Sequence, residues 1–153
     1  MISPGLRVLK LLGGSGFWKY TGMVHAWLYR LTDGTIGHAT GHLTHLLLTT
    51  TGRRSGAART VPLTYLADGP NFVLVASNGG ADRHPAWWLN LEKTPRATIQ
   101  VGDRALAIVA RRAEAAEWGR LWPRLKEVNP FYARYERITA RQIPVVILEP
   151  VEP

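Results

Sequence analysis

Cysteine is absent from the 153 residues. That excludes disulfides, thiolate metal sites and a cysteine nucleophile, and it leaves the redox compartment open. No apolar run approaches the roughly 20 residues that a membrane-crossing helix needs. No apolar signal segment with a small-residue cleavage site is recognisable near the first residues, so a cytoplasmic location is the expectation. Internal repeats and low-complexity blocks are missing as well. Acids are scarce: 11 Asp and Glu face 19 Lys and Arg, 15 of them arginine, for a net charge of +8. An arginine-rich surface suits an anionic partner, whether nucleic acid, anionic lipid or an acidic small molecule. Solubility and compositional bias account for the same charge equally simply.

What is present has the length of one domain, long enough to bury a core without staples. Residues 1–20 read as a flexible N-terminal arm, and residues 21–153 as the folded domain. Within the arm, Leu6, Leu9 and Leu12 alternate with Arg7 and Lys10 before Gly13, Gly14 and Gly16 break the pattern. Such a segment is able to touch a membrane surface or a second subunit. Apolar spacing predicts a helix over 23–31 and strands over 43–51, 59–66 and 72–77. Pro62 places the second strand at an edge or a bulge. A helix over 85–93 follows, with Pro85 as its first residue, then strands over 97–101 and 105–111. The spacing of Trp118, Leu121, Trp122, Leu125 and Val128 predicts a helix over 114–128, which Pro123 is expected to kink or split. Asn129 and Pro130 start a short helix through Tyr135, and a last strand spans 143–148. Hairpins separated by helices exclude a regular doubly wound sheet. The expectation is an α+β protein: a small, mostly antiparallel sheet or partly opened barrel with peripheral helices.

Three clusters carry chemistry. In TTTGRRSGAARTVP, Gly52 and Gly56 bracket Arg53, Arg54 and Ser55, and Arg59 opens the next strand. This is no Walker loop, since its spacing is wrong and no Lys-Ser/Thr pair ends it. Free loop N–H groups and guanidinium forks nevertheless suit a phosphate. A solvated hairpin turn fits the same residues. In SNGGADRHPAWW, Gly79 and Gly80 permit positive φ and close approach of a ligand to the main chain. Ser77 adds a hydroxyl, and Trp87 or Trp88 is placed to bound a flat heterocycle. Adjacent helical side chains diverge by about 100°, so one of the two tryptophans is expected in the core. In NPFYARYERITAR, Tyr132 and Tyr135 share a helical face, either as hydrogen-bond donors to a substrate or as a half-buried aromatic pair. His84 is a structural hydrogen-bonding residue by position. His25, His38, His42 and His45 lack metal-ligand spacing. No nucleophile–base arrangement stands out, so any enzymatic chemistry falls to a bound cofactor.

The stretches LLLTTTGRRSGAARTVPLTYL, VASNGGADRHPAWWLNL and IPVVILEP resemble the deazaflavin-dependent nitroreductase family, split β-barrel reductases of actinobacteria that use the 8-hydroxy-5-deazaflavin coenzyme F-420. The resemblance covers residues 26–150, with the motifs in the family's order. It implies a split β-barrel of about six mostly antiparallel strands with peripheral helices. By the same resemblance, Arg53, Arg54, Ser55 and Arg59 hold the cofactor's phosphate and the start of its acidic tail. Thr60, Val61, Pro62 and Leu63 pass beside the ring. Ala76, Ser77, Asn78, Gly79 and Gly80 line it with backbone, and Pro85 and Trp87 bound the pocket. Tyr132 and Tyr135 match tyrosines on the substrate side. Asn78 stands where many relatives carry lysine, and Asn129 where some carry a further tyrosine. The implied activity is hydride transfer to an electron-poor acceptor such as a quinone or nitroaromatic, with pairing into a homodimer common among split barrels. An FMN-binding reductase on the same barrel is the alternative. A non-enzymatic nucleic-acid binder ranks last, for want of a recognition helix or an aromatic-basic strand.

Overall fold

The computed structural model describes residues 44–152. These form β1 (Thr44–Thr51), β2 (Ala58–Asp68), β3 (Asn71–Val75), α1 (Ala86–Lys93), β4 (Arg96–Val101), β5 (Arg104–Arg112), α2 (Ala115–Val128), α3 (Phe131–Ile138) and β6 (Val145–Pro150). One 3-10 turn, Asn78–Gly80, lies between β3 and α1. The arm over 1–20 and the helix expected over 23–31 lie outside the described residues. No helix among the described residues is long and apolar enough to cross a membrane.

Every strand pairing is antiparallel, and the order β1-β2-β3-β6-β5-β4 returns to β1. The expected barrel forms, and its ring is closed. Two of its seams are narrow: β1 meets β4 across residues 47–49, and β2 meets β3 across 66–68. Pro62 sits opposite Leu47 in the part of β2 that pairs with β1 alone. A strand flank without a neighbour is where proline is tolerated.

Alternation along the strands builds two cores. Leu46 and Leu48, Leu74, Ile99, Ile108, and Val146 with Leu148 fill the barrel, where Trp87, Trp88 and Leu91 of α1 join them. The opposite faces of β3 and β6, through Val73, Val75, Val145 and Ile147, pack against Leu121, Trp122 and Leu125 of α2 and Tyr132 of α3. Strand β6 is therefore covered on both sides, which explains the unbroken apolar run IPVVIL.

The break expected at Pro123 does not occur: α2 is one helix of 14 residues. A mid-helix proline costs about 3 kcal/mol, whereas each buried leucine returns about 1.5–3 kcal/mol. Leu121 and Leu125 flank the proline and are both buried, so packing wins. The ring points to solvent, and the residue four positions earlier, whose carbonyl it crowds, is the exposed Gly119. Boundaries shift elsewhere. Pro85 is the N-cap of α1 rather than its first residue, Ser77 falls past the end of β3, and α3 continues to Ile138. Pro130 is the N-cap of α3, and the Asn129 Oδ1 just before it accepts from the Phe131 N–H at 3.1 Å.

Two ion clusters tie α2 to the barrel. Asp68 in β2 accepts from Arg120 at 2.9 Å and Arg124 at 3.1 Å. Arg111 of β5 binds Glu117 at 2.7 Å and approaches Glu149. Hydrogen bonding by Arg120 holds the Asp68 carboxyl down to about 2, and Arg111 does the same for Glu117. Depressed carboxylates stabilise the fold above the unfolded carboxylate range near 4, and that contribution disappears as pH falls toward 2. Thermal melting at fixed ionic strength is expected to decline a little below pH 6.5, where the lowered histidines His45 and His84 begin to favour the unfolded chain, and to drop further below pH 4. Asp68→Asn should remove part of that acid-limb loss, and an identical profile in the variant would show that Asp68 contributes nothing to it.

Candidate functional site

The turn between β1 and β2 is shaped by its glycines. The Gly52 N–H donates to the Ala57 carbonyl at 2.7 Å, and the Gly56 N–H to the Gly52 carbonyl at 2.8 Å. A Cβ on Gly52 would stand 2.9 Å from Ser55 Oγ and 3.1 Å from the Ala57 oxygen, so a side chain there would push Ser55 aside and crowd the turn's own carbonyl. Ser55 Oγ accepts from the Ala57 N–H at 3.2 Å. This tight turn lifts Arg54 and Arg59 into solvent and leaves Arg53 half-buried.

Asn90, in the middle of α1, anchors Arg53. Its side chain is 4 % exposed. Its Oδ1 accepts from the Arg53 backbone N–H at 3.1 Å and from Arg53 Nη1 at 3.3 Å. Its Nδ2 donates to Thr50 Oγ1 at 3.0 Å. One turn on, Lys93 Nζ donates to the Arg53 carbonyl at 2.7 Å. Every polar atom of the buried amide is thus engaged, as burial requires. The sequence reading passed over Asn90. The signal was there, because Trp87, Asn90 and Leu91 share one face of α1 and a lone amide on an apolar stripe demands partners.

Between the turn and α1 lies a cavity of about 460 Å³, walled by Thr50, Gly52, Arg53, Arg54, Ser55, Arg59, Thr60, Val61, Ala86, Trp87 and Asn90. Seven of these are sequence candidates: Arg53, Arg54, Ser55, Arg59, Thr60, Val61 and Trp87. No acidic residue is among the walls, and none of the three arginines pairs with a carboxylate among the described residues. The first turn of α1 adds to the field, since the leading N–H groups of a helix have no partner inside it and carry partial positive charge. An anion is the ligand this electrostatics fits. Trp87, 8 % exposed, forms an aromatic wall while also belonging to the barrel core. Trp88 is in the same core, so both tryptophans are buried where one was expected.

The remaining candidates are not among the residues that wall this cavity. Pro62 and Leu63 continue β2 beyond it. Pro85 caps the helix that borders it. Ala76, Ser77, Asn78, Gly79 and Gly80 form the link from β3, with positive φ at Asn78 (48°), Gly79 (64°) and Gly80 (82°). That link lies against α3: a Cβ on Gly80 would stand 2.6 Å from Ile138 Cδ1 and 3.2 Å from Tyr135 Cδ1. Tyr135 is half-buried there. Tyr132 is buried, its ring centroid 6.3 Å from Trp122 and 6.4 Å from Tyr135. Burial raises the Tyr132 phenol above its ordinary pKa, which keeps it a proton-bearing donor. His45 bonds Thr64 Oγ1 through Nδ1 at 3.2 Å, and burial lowers its pKa. His25, His38 and His42 lie outside the described residues.

The chain is similar to known proteins in sequence and in fold. The family model described as F420H(2)-dependent quinone reductase matches residues 22–150. An F420H(2)-dependent quinone reductase of Mycobacterium tuberculosis is 40% identical over 129 residues, covering 82% of this chain and 87% of that protein. A solved structure of an F420-H2 dependent reductase is 38% identical with a TM-score of 0.64, covering 72% of this chain and all (100%) of the other. Another solved structure, described as a domain-swapped dimer, is 36% identical with a TM-score of 0.65 over 84% of this chain and 98% of its own. Barrel, motif order and these matches agree, and the chain belongs to the F420H(2)-dependent quinone reductase family.

Proposed function

We propose that this chain binds reduced coenzyme F-420 in the arginine-walled cavity and catalyses hydride transfer to a quinone, with nitroaromatics as further acceptors. The observation that carries this reading is one cavity in which three carboxylate-free arginines meet a tryptophan wall and a helix start. Its size suits a tricyclic heterocycle with a charged tail, and its donors suit a phosphate. The family, F420H(2)-dependent quinone reductase, agrees with this cofactor and acceptor.

When bound, the deazaflavin supplies the hydride. The chain's own residues bind and orient. Arg54 and Arg59 are free to swing onto a phosphate, while Arg53, fixed by Asn90 and Lys93, sets the register of the loop N–H groups. Thr60, Val61, Pro62 and Leu63 offer a strand flank with no partner strand, along which a ring lies. Trp87 excludes water from one side. The link 76–80 presents backbone groups, and Pro85 fixes where α1 begins. Tyr132 and Tyr135 stand on the acceptor side, where a phenol Oη donates to the oxygen that gains charge. Such a donor in a sheltered site is worth roughly 2.7–4 kcal/mol.

The test is spectroscopic. Purified protein, reduced F-420 and a panel of quinones and nitro compounds are mixed, and reoxidation of the cofactor is followed. Turnover with quinones is the expected result. A protein that purifies yellow with stoichiometric FMN and ignores F-420 would replace the reading with a flavin reductase. Tyr132→Phe is expected to cut turnover about 100-fold with cofactor affinity kept. Unchanged turnover would remove Tyr132 from the mechanism and leave it as a packing partner of Trp122.

A further inference from the structure

Arg141 lies two residues before the IPVVIL run, and its guanidinium reaches back across the fold. Nε donates to the Ala81 carbonyl at 2.9 Å. Nη2 donates to the carbonyls of Ala76 at 3.2 Å and Ser77 at 2.8 Å. Nη1 stands 3.1 Å from His84 Nδ1. Arginine has no acceptor atom, so His84 Nδ1 must accept and the imidazole proton resides on Nε2. Thr139 assists, its hydroxyl meeting Asp82 Oδ1 at 3.3 Å. Arg141 makes no ion pair among the described residues. Its hydrogen bonds go to three main-chain oxygens and one imidazole nitrogen of a single loop.

That loop needs holding. Asn78, Gly79 and Gly80 are three consecutive residues at positive φ, a run that a free chain samples rarely because the left-handed region is costly outside glycine. The Asn78 side chain helps by donating to the Arg83 carbonyl at 3.1 Å. The loop ends in Pro85, and the next two residues, Ala86 and Trp87, wall the cavity.

We propose that Arg141, with His84 as its acceptor, is the positioning residue of the glycine loop: one guanidinium grips both ends of the bend and so fixes where α1 starts and where Gly80 meets Tyr135. A lysine cannot replace it, because a single ammonium cannot span three carbonyls and an imidazole. The consequence for binding rests on the reading of the cavity as a deazaflavin site. The consequence for the loop does not.

The clamp also carries a pH dependence. The charged groups facing His84 are Arg141, Glu92 of α1 and Arg112 at the end of β5, and the Asp82 charge acts on Arg141. Burial and the Arg141 charge lower the His84 pKa. A protonated imidazole has no lone pair for Arg141, so the clamp is intact above the ordinary histidine value near 6.5 and loosens as pH falls through the lower folded value.

Hydrogen exchange on the full chain, with no cofactor added, tests the clamp directly. In Arg141→Ala the amides of residues 77–84 are expected to exchange about tenfold faster or more, with β4 and β6 unchanged. Arg141→Lys should behave like the alanine variant, and millimolar guanidinium should restore protection to Arg141→Ala. In the wild type, loop exchange corrected for intrinsic rate should quicken as pH drops below 6.5. His84→Asn, whose amide oxygen stands in for Nδ1, should keep protection and lose that pH dependence. Wild-type exchange over 77–84 in a folded Arg141→Ala, or protection lost evenly across the barrel, would overturn the proposal. If Arg141→Ala does not fold, the lysine variant decides on the same two outcomes. Titration with reduced F-420 is read separately: Arg141→Ala should bind about tenfold more weakly. Failure of the wild type to bind at all would end the cofactor reading, and the exchange data would still judge the clamp.

Discussion

Replacing Asn90 with leucine is expected to lower the melting temperature by roughly 5–15 °C and to weaken F-420 binding in the same protein. Leucine fills a similar volume, so the loss is not a cavity effect. It leaves the Arg53 N–H and the Thr50 hydroxyl without the partner they have at 3.1 Å and 3.0 Å. Each buried polar group stripped of its bond costs about 1–3 kcal/mol, and each kcal/mol moves the midpoint of a domain this size by about 2–4 °C. Asn90→Asp is the control. Its oxygens still accept from Arg53, and the Thr50 hydroxyl is able to turn and donate, so most of the stability should return. Melting curves of the three proteins decide the matter. A leucine variant as stable as wild type, with unaltered F-420 affinity, would show that the arginine turn holds its shape without α1.

The double substitution Arg54→Ala and Arg59→Ala is expected to do the opposite: binding collapses and the fold stays. Both side chains are exposed and neither has a carboxylate partner among the described residues, so nothing is orphaned when they go. Charge-assisted bonds to a sheltered phosphate are worth about 1.5–3 kcal/mol each. Two of them, discounted for the open side of the cavity, correspond to an affinity loss of about 100-fold or more. The wild type should also bind more weakly as salt rises, and the double variant should lose most of that dependence. Fluorescence titration at two ionic strengths measures both. A dissociation constant within about threefold of wild type would put the anion somewhere other than this turn.

The contrast between Asn90 and the arginines explains what could be read from the chain beforehand. Strand positions were legible because Leu46/Leu48 and Val73/Val75 alternate or run with the period of a pleated surface, and the turns at Gly52–Gly56 and Gly69 announce themselves by residue type. The arginine turn was legible as a tight turn carrying guanidiniums for the same reason: its chemistry is local. Pro123 misled because propensity is a local rule, and two leucines buried against β3 and β6 outweigh it. Asn90 and Arg141 escaped because their meaning is in their partners, 37 residues away for the Asn90–Arg53 contact and 60 for Arg141–Ala81. No window along the chain contains both ends. The glycine bend shows the middle case. Its permissive backbone was evident, but that it lies against Tyr135 and Ile138 is a fact of the closed barrel.

The cavity draws one wall from the end of β1, the turn after it and the start of β2, and the other from α1, bridged by Asn90 and Lys93. Neither half is a receptor by itself. The ring cannot shut until β6 slots between β3 and β5, and the core that seats α1 at the cavity includes Val146 and Leu148 of β6. Any molecule that occupies the cavity therefore selects finished copies over unfinished ones by mass action. Under the proposed function that molecule is the coenzyme, and its supply would then bear on how much of this protein persists as well as on how fast it works.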